Sequence, residues 1–217
     1  MKKTVSLLLS VLMVLSLFPM AAVSVNAEET APPEEVEFTE VYTVEDLYMI
    51  NYALDGNYKL MNDIDLSEDT AQGGDWDFGG RGWEPIGSNG VYSGSIPFTG
   101  TFDGNGYEIK GLRINVNSLP SGTGNAHVGL FAKNAGTIKN LVVSGSVSAG
   151  LQTLYVGAIA GYNSGVIENC VNAASVSATY SKYVGGITGY TANESEITRC
   201  KNTSSVHCSY GSYRDSV

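Results

Sequence analysis

The sequence predicts an all-β chain wound as a parallel β-helix, a solenoid with a short N-terminal capping α-helix. Three observations carry this. First, a stretch beginning Val156-Gly157-Ala158-Ile159-Ala160-Gly161-Tyr162 has a copy 28 residues earlier, from Val128, and another 28 residues later, from Val184. A fixed period in this range marks a stacked array. Second, the copies hold short alternating segments broken by Asn and Gly, without helix-length apolar periodicity. Third, alignment of the copies yields apolar columns: Phe131, Ile159 and Ile187; Ile138, Ile167 and Ile197; Leu141, Cys170 and Cys200; Val147, Val176 and Val206.

A copy of 28 to 30 residues has room for three short strands and three bends, one turn of a β-helix. Successive turns would lie about 4.8 Å apart, so like residues stack on like. Val143, Asn172 and Asn202 share a column, and the two Asn amides can satisfy each other. A divergent earlier copy fits if Phe102, Ile109 and Leu112 match Phe131, Ile138 and Leu141, with spacings of 7 and then 3 in both. The leucine-rich frame and the propeller dipeptide are missing.

The chain begins as an exported protein does. Met1-Lys2-Lys3, an apolar run from Val5 to Val25 and the small residues of Val25-Asn26-Ala27 predict a signal peptide over 1–27. Residues 28–40, rich in Pro and Glu, read as a disordered leader. Residues 41–127 form the cap and first irregular turns, and 128–217 the regular repeats. Thr43 is the predicted N-cap of a helix, with Asp46 three residues on and Val44, Leu47, Ile50 and Leu54 on one face. Such a helix would cover the open edge of the first turn. Tyr58 to Leu66 alternates as a strand, and Ser67 to Gly82 is a long surface loop. Trp83 to Gly87 returns to the core. Phe98 to Gly106 is a strand entering a tight turn.

The Val-Gly-x-Ile-x-Gly-Tyr, Ile-x-Asn-Cys and Ser-x-Val residues resemble the GLUG repeat of secreted bacterial proteins. Thr43 to Leu47, Met61 to Leu66, Trp83 to Gly87 and Phe98 to Gly106 resemble the module that commonly precedes it. The resemblance covers about residues 41–217 and implies a right-handed parallel β-helix of bacterial, exported origin. It implies a surface or secreted protein of adhesin type, or the region before the catalytic part of an IgA-specific metallopeptidase. Val217 falls where the next copy's Val should stand, so the repeats are expected to continue, with further domains beyond it.

Composition narrows the partners. Removing Lys2 and Lys3 leaves 10 basic residues against 22 acidic, a net of -12. This excludes nucleic acid and anionic lipid as natural partners. No second hydrophobic segment has the length of a membrane span, so no transmembrane anchor is expected in this chain. The expected location is extracellular, at the cell surface, and the expected partner a glycan or a host or cell-surface protein. The two histidines, His127 and His207, lack the His-Glu-x-x-His pattern, and no cofactor or metal site is expected.

Two sets of side chains are candidates for function. Tyr155 and Tyr183 share one column, which also holds His127, and Tyr162 and Tyr190 share another. They are either a stack that stabilises neighbouring turns or an aromatic stripe that docks sugar rings or a protein. Asp63, Asp65 and Asp103 either make turns and cap strands or form an acidic cluster for sugar cleavage or calcium. Cys170 and Cys200 are neighbours, either as small buried hydrophobes or as a bridge between turns. The expected activity is therefore that of a non-catalytic module for adhesion or ligand display. The rivals are the ancillary front of a larger secreted enzyme and a carbohydrate-active β-helix.

Overall fold

The computed structural model describes residues 36–88, 95–118, 126–151 and 153–209. The expected signal peptide and most of the expected leader lie outside the described residues. Local sequence sets each element. Thr43 caps helix α1 (Val44–Met49): its hydroxyl accepts from the Asp46 amide at 3.1 Å, and the Asp46 carboxylate accepts from the Thr43 amide at 3.0 Å. A 3-10 turn, Ile50–Tyr52, continues it, and Leu47 and Ile50 are fully buried. Before the helix stands β1 (Thr39–Val41), which includes two residues assigned above to the leader.

The irregular part supplies β2 (Asn57–Leu60), β3 (Ile64–Asp65), β4 (Thr101–Asp103) and β5 (Glu108–Ser118). The strand expected over Tyr58 to Leu66 is thus broken in two around Asn62. There an amide reaches the Tyr42 carbonyl at 3.1 Å. The first full copy supplies β6 (Ala126–Val128), β7 (Phe131–Asn134), β8 (Thr137–Lys139) and β9 (Val142–Leu151). The second supplies β10 (Thr153–Val156), β11 (Ala160–Asn163), β12 (Val166–Glu168) and β13 (Val171–Thr179). The third supplies β14 (Tyr183–Val184), β15 (Thr188–Thr191), β16 (Glu196–Thr198), β17 (Lys201–Asn202) and β18 (Val206–Ser209). The first two copies therefore hold four strand segments, not three, because the Val-Gly corner separates two strands that the repeat alone does not distinguish; in the third the last segment is split into β17 and β18.

All pairs of named strands are parallel, and each copy contributes to each of four sheets, the third placing both β17 and β18 against β13. The orders are β1-β2-β4-β8-β12-β16, β3-β5-β9-β13-β17 with β18 also on β13, β7-β11-β15, and β6-β10-β14. The chain is thus mostly β, with one short helix. Inward positions alternate: along β13, Asn172, Ala174, Val176 and Ala178 are buried and their neighbours are not. The core runs from Val41 and Leu47 through Phe102, Phe131 and Ile138 to Val176 and Ala178.

Register confirms most columns and corrects two. Ile138, Ile167 and Ile197 are paired, as are Val147, Val176 and Val206. Phe131, however, pairs with Ala160, one residue past Ile159. Val128 pairs with Val156, so the extra residue of the second copy is absorbed at the Val-Gly corner. Leu130, Phe131, Ile159 and Ala160 are all fully buried, so a slip of one residue changes no burial there. The divergent copy also shifts: Phe102 pairs with Ile138, and Ile109 with Val143. Its spacing of 7 and 3 matched the wrong strands. A bulge at Gly111 (φ 64°) then resets the register of β5.

Candidate functional site

The four tyrosines lie on the β6-β10-β14 and β7-β11-β15 sheets. Alternation turns Val156 fully inward and leaves Tyr155 half-buried beside it. Tyr162 is half-buried between Gly161 and the buried Asn163. The two sheets are brought together by glycine. A Cβ on Gly161 would lie 2.5 Å from the Val128 amide nitrogen, and one on Gly189 would collide with that of Val156. The close approach of these backbones sets the two tyrosine columns side by side.

The rings then form a connected ladder. His127, Tyr155 and Tyr183 stack in sequence, with centroids 4.8 and 5.1 Å apart and ring planes within 9° and 4°. Tyr162 and Tyr190 stack at 5.3 Å. Edge contacts link the columns, Tyr155 to Tyr162 at 5.6 Å and Tyr183 to Tyr190 at 5.0 Å. The register pairs Tyr155 with both His127 and Tyr183, and Tyr162 with both Lys133 and Tyr190. Each pair contributes about 1 kcal/mol beyond burial. Lys182 places its ammonium 5.1 Å from the Tyr183 ring centroid.

This geometry changes what the tyrosines can offer. The faces of Tyr155 are taken by His127 and Tyr183, so no flat face is open there for a sugar. Ring edges and phenol oxygens are what it presents. Among the described residues none of the four phenol oxygens has a hydrogen-bond partner, while Tyr42 donates to Glu40 and Tyr58 to the Ala53 carbonyl. His127 is buried, and its Nδ1 lies 3.4 Å from Ser95 Oγ. Burial, with Lys133 nearby, pulls the His127 pKa down to about 4, so the ring is neutral at pH 7.

The acidic candidates serve separate local roles. Asp63 accepts from Lys110 Nζ at 2.7 Å and from the Glu108 amide at 2.9 Å. Asp65 accepts from the Ser67 amide, and Asp103 from the Asn105 amide and the Asn140 side chain. Lys110 holds the Asp63 carboxyl below the usual range, and Ser67 does the same for Asp65. Carboxyls kept ionised are unsuited to proton donation in glycoside cleavage. Among the described residues no group of three His, Cys, Asp or Glu could hold a metal ion.

Cys170 is buried, Cys200 half-buried and Cys208 exposed, all as free thiols. Burial pushes the Cys170 thiol up to about 12, so it is inert as a nucleophile. Sequence reasoning missed Lys182, although it directly precedes Tyr183, and missed the contact between the two columns. That contact depends on which strands the Val-Gly corner brings together.

A protein named as a Gly-rich membrane protein of Evansella cellulosilytica is 37% identical to this chain over 123 residues, 55% of the chain and 12% of that protein. Halomucin of Haloquadratum walsbyi is 31% identical over 165 residues, 73% of the chain and 2% of its own length. The chain thus spans a small part of each relative. No family model matches it. No solved structure matches it. Among the described residues no helix is long and apolar enough to cross a membrane.

Proposed function

We propose that this chain is an exported right-handed parallel β-helix of the GLUG-repeat type that binds a glycan or a surface protein through its tyrosine ladder. Four parallel sheets, each receiving strand from every copy, support the β-helix reading. The observation that carries the binding reading is the ladder itself: rings whose centroids repeat at 5.1 and 5.3 Å, with unpaired phenol oxygens and Lys182 alongside. Rings repeated at a spacing close to that of stacked strands suit a ligand that is itself repetitive. The names of the two relatives, a membrane protein and a halomucin, agree with a place at the cell surface.

The test separates the hydroxyls from the rings. The purified chain is applied to a glycan array and to immobilised cell-surface protein. Replacing Tyr155 and Tyr183 together by Phe keeps the stack and removes two hydroxyls. Binding should fall about tenfold or more, as expected for two lost hydrogen bonds of about 1 kcal/mol each. Undiminished binding by that variant and by the double Ala variant would remove the ladder from the function.

A further inference from the structure

The stacking of the tyrosines also permits covalent chemistry that needs no ligand. Tyr162 and Tyr190 are register partners on β11 and β15, and Tyr155 and Tyr183 on β10 and β14. Parallel in-register pairing sets like atoms over like, so the Cε carbon beside one phenol faces the same carbon of the next. The rings bear this out. Their planes lie 22° apart in the first pair and 4° apart in the second, with centroids 5.3 and 5.1 Å apart. The other tyrosine contacts among the described residues are edge contacts. Tyr155 meets Tyr162 at 88° and Tyr190 at 66°, Tyr183 meets Tyr190 at 64°, and Tyr48 meets Tyr52 at 76°. An edge contact aims one ring's rim at the face of its neighbour and does not oppose like carbons.

The two stacked pairs differ in access. Tyr190 is 36% exposed, and β15 is the last paired strand of its sheet among the described residues. Its ring therefore meets dissolved oxidants and has room to tilt onto Tyr162. Tyr183 is half-buried and holds the Lys182 ammonium 5.1 Å from its centroid, and a cation beside a ring opposes removal of an electron. Tyr155 is covered on its faces by His127 and Tyr183. Access and charge both favour Tyr162 and Tyr190.

We propose that Tyr162 and Tyr190 are a site of oxidative cross-linking, joined by a bond between their Cε carbons when the chain meets hydrogen peroxide and a haem peroxidase. Each phenol gives up one electron and its O–H proton. The two phenoxyl radicals pair at Cε and form one C–C bond. Each of these carbons then loses its hydrogen as a proton and the phenol oxygen regains one, which restores both rings. The two electrons and two protons released overall reduce one peroxide to two waters. The bond ties the second copy to the third and restricts the unfolded chain as a disulfide would.

The test treats the full chain, with the exposed Cys208 alkylated, at low concentration with hydrogen peroxide and a haem peroxidase. The expected product is a monomer lighter by two hydrogen atoms and fluorescent as a biphenol. In it the tryptic peptides 140–182 and 183–199 are linked through Tyr162 and Tyr190. Its melting temperature should exceed that of the untreated chain. Tyr190→Phe keeps the stack and should abolish the link from Tyr162. Tyr52→Phe removes a phenol that is 73% exposed and should leave the link intact. The proposal is overturned if the urea-unfolded chain forms the link equally well, if other tyrosines or separate molecules are joined instead, or if the link leaves melting unchanged. The variant with Tyr155 and Tyr183 replaced by Phe retains both partners and should still cross-link, which keeps this outcome separate from that of the binding test.

Discussion

At the scale of the residue, position in the stack outweighs residue type. The Ile-x-Asn-Cys segments place Asn140, Asn169 and Arg199 at the same corner, with φ of 53°, 51° and 52°. This left-handed conformation favours Asn and strains Arg. Asn140 and Asn169 also bond along the stack, Asn169 Nδ2 to Asn140 Oδ1 at 2.7 Å. Arg199 has in exchange an exposed ion pair to Glu168, which is worth little. Arg199→Asn should therefore raise stability by roughly 0.5–1 kcal/mol, measured by urea denaturation. His127 sets a pH dependence. Its pKa falls from 6.5 to about 4 on folding, so the unfolded chain takes up the proton first as pH drops. The stability that neutral His127 contributes is complete above pH 6.5 and is lost between 6.5 and about 4, a loss of roughly 2–3 kcal/mol. Lys133 and Lys182 are the cations facing this part of the ladder. In His127→Phe the slope of stability against pH in this window should shrink, as followed by denaturation at a series of pH values.

At the scale of the element, buried amides fix which strands pair. The expected Asn172–Asn202 contact is present at 2.8 Å, and Asn172 also clasps the amide and carbonyl of Ala174. A second pair, Asn134 to Asn163 at 2.8 Å, is buried at the corner between β11 and β12 and between β7 and β8. This second pair was not among the expected columns; the register of β7 and β11 brings it together, and both residues are fully buried. Asn163→Ala removes the buried bond from Asn134 and the bond to the Gly165 carbonyl, which keeps only the Glu196 amide. The cost should be about 1–3 kcal/mol, measured by chemical denaturation, and should exceed that of Asn202→Ala, whose side chain is exposed.

At the scale of the whole molecule, stability is shared between neighbouring copies. A single copy buries too few side chains to offset the cost of ordering its backbone. Paired copies add ladder hydrogen bonds on both sides, such as Phe131 to the Ile159 carbonyl at 2.9 Å and Ile159 to that of Ile187 at 3.0 Å. Ile159→Asp places a charge in the common core and should lower stability by at least about 3 kcal/mol. Lys139→Asp removes only a loose ion pair with Asp103, at 3.7 Å, and should cost less than about 1 kcal/mol. Thermal melts of the two variants give the comparison, and equal melting would contradict a shared core.

The sequence by itself determined the period, the all-β character, the capped helix at Thr43 and most columns, because repetition and alternation are properties of the chain's order. It also placed His127, Tyr155 and Tyr183 in one column and Tyr162 and Tyr190 in another. Only the tertiary structure decided the fourth strand segment, the pairing of Phe131 with Ala160, and the meeting of the two tyrosine columns. The physical reason is that these depend on a corner where every residue is buried. Apolar pattern is silent about register there, and backbone approach at Gly161 selects it. The packing of Trp76 and Phe78 on Tyr48 was hidden for a related reason: residues 28 or more apart in sequence meet only because Asp77 and Arg113 hold the 67–82 loop in place.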